Sequence, residues 1–271
     1  MTGRFEDMHG ITKRDLQIKY EKFGSLRGVA KEYGTDHNVI RGMMGRFGLN
    51  YKVINYKSLP VNHDFFSEHT YQSCYWAGFL AADGCIHNKY VKLSLSEKDL
   101  NHLMTFKEHI SSEHKLTKTE SKGSVCYCLS VSSSKMVSDL KKFGVVPRKT
   151  QTLDFPKIPS ALASYFCRGY FDGDGCWAVH KPSTRPGRKG QLVFSTRGTE
   201  KFLEGFNKCL VNYAGLPERC LDKSLKGWRT SVLQYNGNNI CRKIADWLYK
   251  DIDNSDVFLD RKYQIVYGDR V

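Results

Sequence analysis

The sequence predicts an α+β fold built from two like halves behind a small all-α module, and three observations lead there. A helical motif ending in Asp-Gly occurs twice, as YWAGFLAADGC over 75–85 and FCRGYFDGDGC over 166–176. Each copy is followed by alternating apolar and polar stretches with helix-period patterns between and after them, so each half reads helix, two strands, helix, two strands, helix. Short Gly- and Lys-containing turns such as ESKGS and SLKGW imply antiparallel hairpins, whose helices then gather on one face of a sheet. The third observation is a change of texture: the first fifty or so residues are short helical patterns broken by glycine.

Element by element, Ser25 caps a helix running to about Tyr33, Gly34 ends it, and Asp36 caps another that carries Val39, Ile40 and Met43 inward, with Met43 and Met44 at the core and its edge. The stretch YKVINYKSLPVNHD has no sustained period and suits a tether. The divisions are therefore 1–56 for the all-α module, 57–70 for a linker, 71–155 for the first half and 156–271 for the second.

The 271 residues carry 42 Lys and Arg against 28 Asp and Glu, a net charge of +14 with 13% aromatics, which describes a folded basic chain with an anionic partner. No run approaches the roughly 18 apolar residues of a membrane span, and the start has no signal-peptide core. Secreted and integral membrane classes are not expected on these grounds. The nine cysteines include no C-x-x-C, so they read as reduced thiols of a cytosolic-type compartment, mostly buried as small hydrophobes.

Helix-interior glycine costs about 1 kcal/mol relative to alanine. Gly78 with Ala82, and Gly169 with Gly173, nevertheless stand four apart in the two motif copies. Small residues at that spacing let two helix backbones approach, so the copies are expected to pack on each other. Gly84 and Gly175 would follow as left-handed caps, and Asp83 and Asp174 would emerge together at the negative ends of both helix dipoles. A divalent cation offsets such a pair; Mg²⁺ takes one or two carboxylates plus waters and phosphate oxygens. Asp172-Gly-Asp174-Gly is not an EF-hand loop, because Cys176 and Trp177 occupy positions that need a ligand and a glycine.

WAGFLAADG and CRGYFDGDG resemble the paired motifs of single-chain LAGLIDADG homing endonucleases, and the resemblance covers about residues 70–271. It implies two pseudosymmetric αββαββα halves joined through the motif helices, with sheets forming a saddle over double-stranded DNA. It further implies that Asp83 and Asp174, with Gly84 and Gly175, make the metal set. Mg²⁺ is the expected ion, and Mn²⁺ or Ca²⁺ can replace it in binding. One phosphodiester per strand is cut, leaving short 3′ overhangs. Ala81 departs from the commoner motif, where the second copy keeps Asp172. The resemblance places basic residues at Lys149 and Lys262, and water-positioning residues at Glu97 and Arg197.

Several segments suit DNA contact. Lys181, Arg185, Arg188 and Lys189 lie in an acid-free stretch that reads as an arm along phosphates. Lys92, Ser94, Ser96, Gln191, Arg229 and Gln234 alternate with apolar neighbours and can face a major groove. Ala30, Gly34 and Val39 resemble a helix-turn-helix domain whose second helix would read DNA through His37, Asn38, Arg41 and Arg46. The expected partner is a long asymmetric duplex bound by a monomer, in the cytoplasm at the nucleoid, or in an organelle or phage-infected cell. A non-cleaving regulator on the same scaffold and an intron-RNA maturase are the alternatives.

Overall fold

The computed structural model describes residues 10–51, 59–121, 123–180, 190–223, 230–252 and 257–268. The chain divides into compact units at 1–55 and 56–271.

The first unit holds α1 (Lys13–Phe23), α2 (Leu26–Glu32) and α3 (His37–Arg46). Each begins on a side chain that accepts a free backbone N–H: Thr12 from Asp15 at 3.2 Å, Ser25 from Gly28 at 3.1 Å and Asp36 from Asn38 at 2.7 Å. Gly24 and Gly34 turn the chain with φ of 63° and 62°, a region where a Cβ is strained. Leu16, Val29, Ala30, Ile40, Met43 and Met44 form the core, and Lys19 binds Glu32 at 2.7 Å across α1 and α2. Val39 is not on the inner face. It is 38% exposed, because the buried stripe of α3 runs Ile40, Met43, Met44 at i, i+3, i+4 and turns the preceding residue outward. Met44 is more deeply buried than Met43, so both methionines are core.

The second unit repeats one element order. First come α4 (Tyr71–Ala82), β1 (Cys85–His87), β2 (Tyr90–Ser96), α5 (Leu100–His109), β3 (Thr117–Ser121), β4 (Ser124–Ser132) and α6 (Ser134–Leu140). Then follow α7 (Ala163–Asp174), β5 (Gly175–His180), β6 (Gln191–Gly198), α8 (Glu200–Ala214), β7 (Asp222–Lys223), β8 (Ser231–Asn236), α9 (Asn238–Leu248) and α10 (Asp260–Tyr267). The strands make two antiparallel sheets of matching order, β1-β2-β4-β3 and β5-β6-β8-β7.

Alternation decides the faces. In β2, Val91, Leu93 and Leu95 are buried while Tyr90, Lys92 and Ser94 are exposed. Cross-strand partners share a face, so Leu93 meets Leu129 inside and Lys92 meets Ser130 outside. Helices α5 and α6 cover the apolar side of the first sheet, and α8 and α9 that of the second. The motif helices α4 and α7 pack mainly on each other; nine of twelve residues in α4 are buried, starting from a Thr70–Ser73 capping box.

The cysteines are less buried than their count suggests. All nine are free, but only Cys74, Cys167, Cys209 and Cys241 are buried. Cys85 and Cys176 are exposed because the strand alternation turns them outward. Among the described residues no helix is long and apolar enough to cross a membrane.

Candidate metal centre and nucleic-acid interface

The site begins with the helix crossing. A Cβ at Gly78 would collide with the Phe166 carbonyl, and one at Gly169 with the Tyr75 carbonyl, so backbone touches backbone in both directions. One turn further on, a Cβ at Gly173 would collide with that of Ala82 and lie 3.4 Å from the Asp83 carboxylate. The small residues four apart therefore bring the two helix ends together, and Asp83 and Asp174 with them.

Gly84 and Gly175 serve differently from the expected left-handed caps. Asp83 itself ends α4 with φ −96°, and Gly175 is extended with φ −90° and ψ 165°. Glycine is needed there for space: a Cβ at Gly84 would meet the Leu80 carbonyl at 2.6 Å, and one at Gly175 would run into the Phe171 ring. The Gly175 carbonyl, expected among the metal ligands, accepts a hydrogen bond from Lys262 Nζ at 2.5 Å.

Both aspartates meet solvent, yet neither has a hydrogen-bond or ion-pair partner among the described residues. The crowded protein around Asp174 pushes its pKa up to about 6, aided by the Asp83 charge and opposed by Lys149 and Lys262. Crowding raises Asp83 as well, against the pull of Lys262 first and Lys149 second.

The two lysines are buried beneath the carboxylates. Lys149, in the 3-10 turn Lys149–Gln151, donates to the Ala82 carbonyl at 2.9 Å. Lys262, on α10, donates to the carbonyls of Phe171 at 2.7 Å and Asp172 at 2.8 Å as well as Gly175. Each ammonium thus satisfies orphan carbonyls where its own half's motif helix ends. Burial draws the Lys262 pKa down to about 8 and lowers that of Lys149 too, against the pull of the nearby carboxylates.

Glu97 and Arg197 are not equivalent positions. Ser96 and Thr199 cap the turns that follow β2 and β6, so Glu97 matches Glu200 while Arg197 still lies on its strand. Arg197 lines a cavity of about 250 Å³ with Lys149, Tyr170 and Asp174. Glu97 is exposed in the 3-10 turn Glu97–Asp99. Asp83 has Lys262 and Lys149 as its main basic neighbours, and Arg261 adds a smaller pull while held in a two-pronged bond by Asp99 at 2.7 and 3.0 Å. Nothing in local pattern marks that pair, which joins the start of the α5 region to α10.

Asp172 lies buried in the crossing. Its Oδ2 accepts from the Tyr75 hydroxyl and the Leu259 N–H, both at 2.8 Å, and Tyr75 in turn contacts His102 Nε2 at 2.9 Å. Burial pushes Asp172 up to about 6 and His102 down to about 4. The hydroxyl proton goes to Asp172, so the neutral imidazole supplies an Nε2–H to the Tyr75 oxygen. In the first motif Ala81 replaces Asp172, and the counterpart of Tyr75 is Phe166. A polar pair on one side of the crossing is matched by an apolar pair on the other. That accounts for the departure at Ala81 without reference to metal.

The outward sheet faces carry Lys92 and Ser94, which are exposed, with Ser96 half-buried, and on the second sheet the exposed Gln191 and half-buried Gln234. In the first unit His37, Asn38, Arg41 and Arg46 lie on α3. Lys181, Arg185, Arg188, Lys189 and Arg229 lie outside the described residues.

No family model matches the chain, and no curated protein does. Solved structures do. Meganuclease I-SmaMI bound to uncleaveable DNA superposes with a TM-score of 0.50 at 13% identity, over 70% of this chain and 86% of its own. The fold is that of the LAGLIDADG meganucleases. I-AabMI bound to uncleaved DNA gives 0.46 at 14% identity over 70% and 86%, and I-GzeII with its DNA target 0.44 at 14% over 71% and 94%. In this LAGLIDADG fold the motif helices of the chain are α4 and α7.

Proposed function

We propose that the chain is a site-specific, metal-dependent double-stranded DNA endonuclease that hydrolyses one phosphodiester in each strand and leaves short 3′ overhangs. The observation that carries it is the pair of unpartnered carboxylates, Asp83 and Asp174, brought together at crossed helix ends with a lysine beneath each. A pure binding protein gains nothing from a negative pair aimed at phosphate.

The residues fit a hard divalent cation. Among the described residues no cluster of three or more His, Cys, Asp or Glu forms a closed cage. Two carboxylates with open surroundings suit Mg²⁺, which keeps waters and takes phosphate oxygens. Asp83 and Asp174 would hold it, and the ion would supply Lewis-acid charge stabilisation and a more acidic water. Lys149 and Arg197 put positive charge beside Asp174, and Lys262 and Arg261 beside Asp83, where charge develops on the phosphate.

Binding would spread over the two outward sheet faces, related by a pseudo-two-fold axis in one monomer, on a long asymmetric site. The DNA-bound state of I-SmaMI supports that mode. The three-helix unit would act as a helix-turn-helix, with His37, Asn38, Arg41 and Arg46 of α3 toward a major groove. The test is incubation of the chain with a randomised duplex library in Mg²⁺ or in EDTA, followed by sequencing of new ends. Discrete Mg²⁺-dependent ends with a fixed stagger are expected, and Asp83→Asn should abolish them while retaining duplex. Sequence-specific retention with no new ends in Mg²⁺ or Mn²⁺ would assign the chain to a non-cleaving regulator.

A further inference from the structure

The two outward sheet faces differ in chemistry. Pairing of Ser94 with Cys128, Ser96 with Cys126, and Lys92 with Ser130 puts short hydroxyl and thiol side chains across the first face. Ser132 ends that row opposite Tyr90. On the second face Ser195 pairs with Gln234, Val193 with Asn236, and His180 with Gln191, while Arg197 stands one step along β6. Gln234 Nε2 donates to Asn236 Oδ1 at 3.1 Å, which holds the two amides side by side.

The difference is sharpest at matched positions. β4 runs into α6 and β8 into α9 with the same offset, so Ser130 corresponds to Gln234 and Ser132 to Asn236. A serine hydroxyl reaches one atom beyond Cβ and makes a single bond that many base edges satisfy. Gln and Asn pair bidentately with adenine, and Arg with guanine, which separates the right base from the wrong one. The hairpins differ in the same sense: β1 and β2 share three rungs before a two-residue turn, whereas β5 and β6 share six.

We propose that this chain discriminates DNA sequence unequally, with base-specific readout concentrated in the second sheet through Gln191, Gln234 and Asn236, and a permissive first sheet. The proposal rests on the endonuclease reading above and adds where its selectivity resides. A mismatch under the second sheet should weaken binding about 5- to 150-fold per base pair, the range of one bidentate contact. Under the first sheet the loss should stay below about 5-fold except opposite Lys92 and the exposed His87, which pairs with Tyr90 on the same face.

The experiment is selection of randomised duplexes by the full wild-type chain in EDTA, with sequencing of the bound fraction, beside two variants. Gln234→Ser with Asn236→Ser should erase information at positions that are stringent for the wild type, and thereby assign that half-site to the second sheet. Ser130→Gln with Ser132→Asn should create new stringency at the mirror positions. Equal stringency in both wild-type half-sites, or Gln234→Ser with Asn236→Ser leaving the profile unchanged, overturns the proposal. A bound fraction with no enriched sequence rejects the site-specific endonuclease reading itself, and this proposal with it.

Discussion

Gly169→Ala separates local helix preference from tertiary packing because the two predict opposite signs. In an isolated helix the change is favourable by about 1 kcal/mol. At the crossing of α4 and α7 the new methyl would overlap the Tyr75 carbonyl oxygen and approach Phe79 N at 2.9 Å. Both are main-chain atoms that cannot rotate away, so the helices must part by about 1 Å or more along their contact. Overpacking that a side chain could relieve costs about 1–3 kcal/mol; here about 3 kcal/mol or more is expected. Urea unfolding followed by tryptophan fluorescence is the assay, since Trp76, Trp177, Trp228 and Trp247 all belong to the second unit. Gly42→Ala is the control: nothing lies within 4 Å of the place its methyl would take on α3, and a gain of about 0.5–1 kcal/mol is expected by circular dichroism. A Gly169→Ala chain as stable as wild type would refute the close-crossing argument.

Tyr75→Phe should cost about 1–3 kcal/mol by leaving the buried Asp172 with only the Leu259 N–H, while Tyr75→Phe with Asp172→Ala, which copies Phe166 and Ala81, should cost at least about 1 kcal/mol less than the sum of the single changes. Asp99→Ala should lower the stability of the second unit by about 1–3 kcal/mol in urea, because Asp99 is nearly buried and holds Arg261 through two charge-assisted bonds. Asp83 and Asp174 have folded pKa values above those of the unfolded chain, so the native state binds more protons between the two values. Stability should therefore fall as pH rises from about 4 through about 6, and Mg²⁺ should raise the melting temperature at pH 7.5 but not in the Asp83→Asn, Asp174→Asn chain.

What can be read from the sequence is local or repeated. The four-residue spacing of Gly78, Ala82, Gly169 and Gly173 reports a helix contact directly, because only small residues tolerate it, and the crossing follows. Helix caps at Ser25 and Asp36 are likewise legible, since one side chain and one nearby N–H make each of them. Faces are harder: Val39 and Ile40 are both apolar, and the rotation of α3 that exposes one and buries the other depends on α1 and α2. Gly84 and Gly175 mislead because glycine after a helix usually signals left-handed backbone, whereas here Leu80 and Phe171 take the space a side chain would need. Counting to the strand end misplaces Glu97, because the cap that begins the next turn already stands at Ser96. The Asp99–Arg261 pair has no sequence signal, because 162 residues separate its members and only the assembled sheets and helices bring them together.

The segment between the halves is bonded on both sides. Lys149 reaches Ala82 in the first half, Thr199 donates to the Leu153 carbonyl, and Phe155 meets Phe166 edge to face and Phe202 at a tilt beside Gly205. Gly205 matches His102, so an aromatic from the connector fills the room that an imidazole fills on the opposite side. This has a bearing on chimaeras. A hybrid that took its second half from another protein and joined it at residue 156 would leave Phe155 behind as a foreign plug in an unfamiliar socket. A junction ahead of Pro147 transfers the plug together with its socket, and leaves the recipient half to present the Ala82 carbonyl to an incoming lysine and its own motif helix to the crossing.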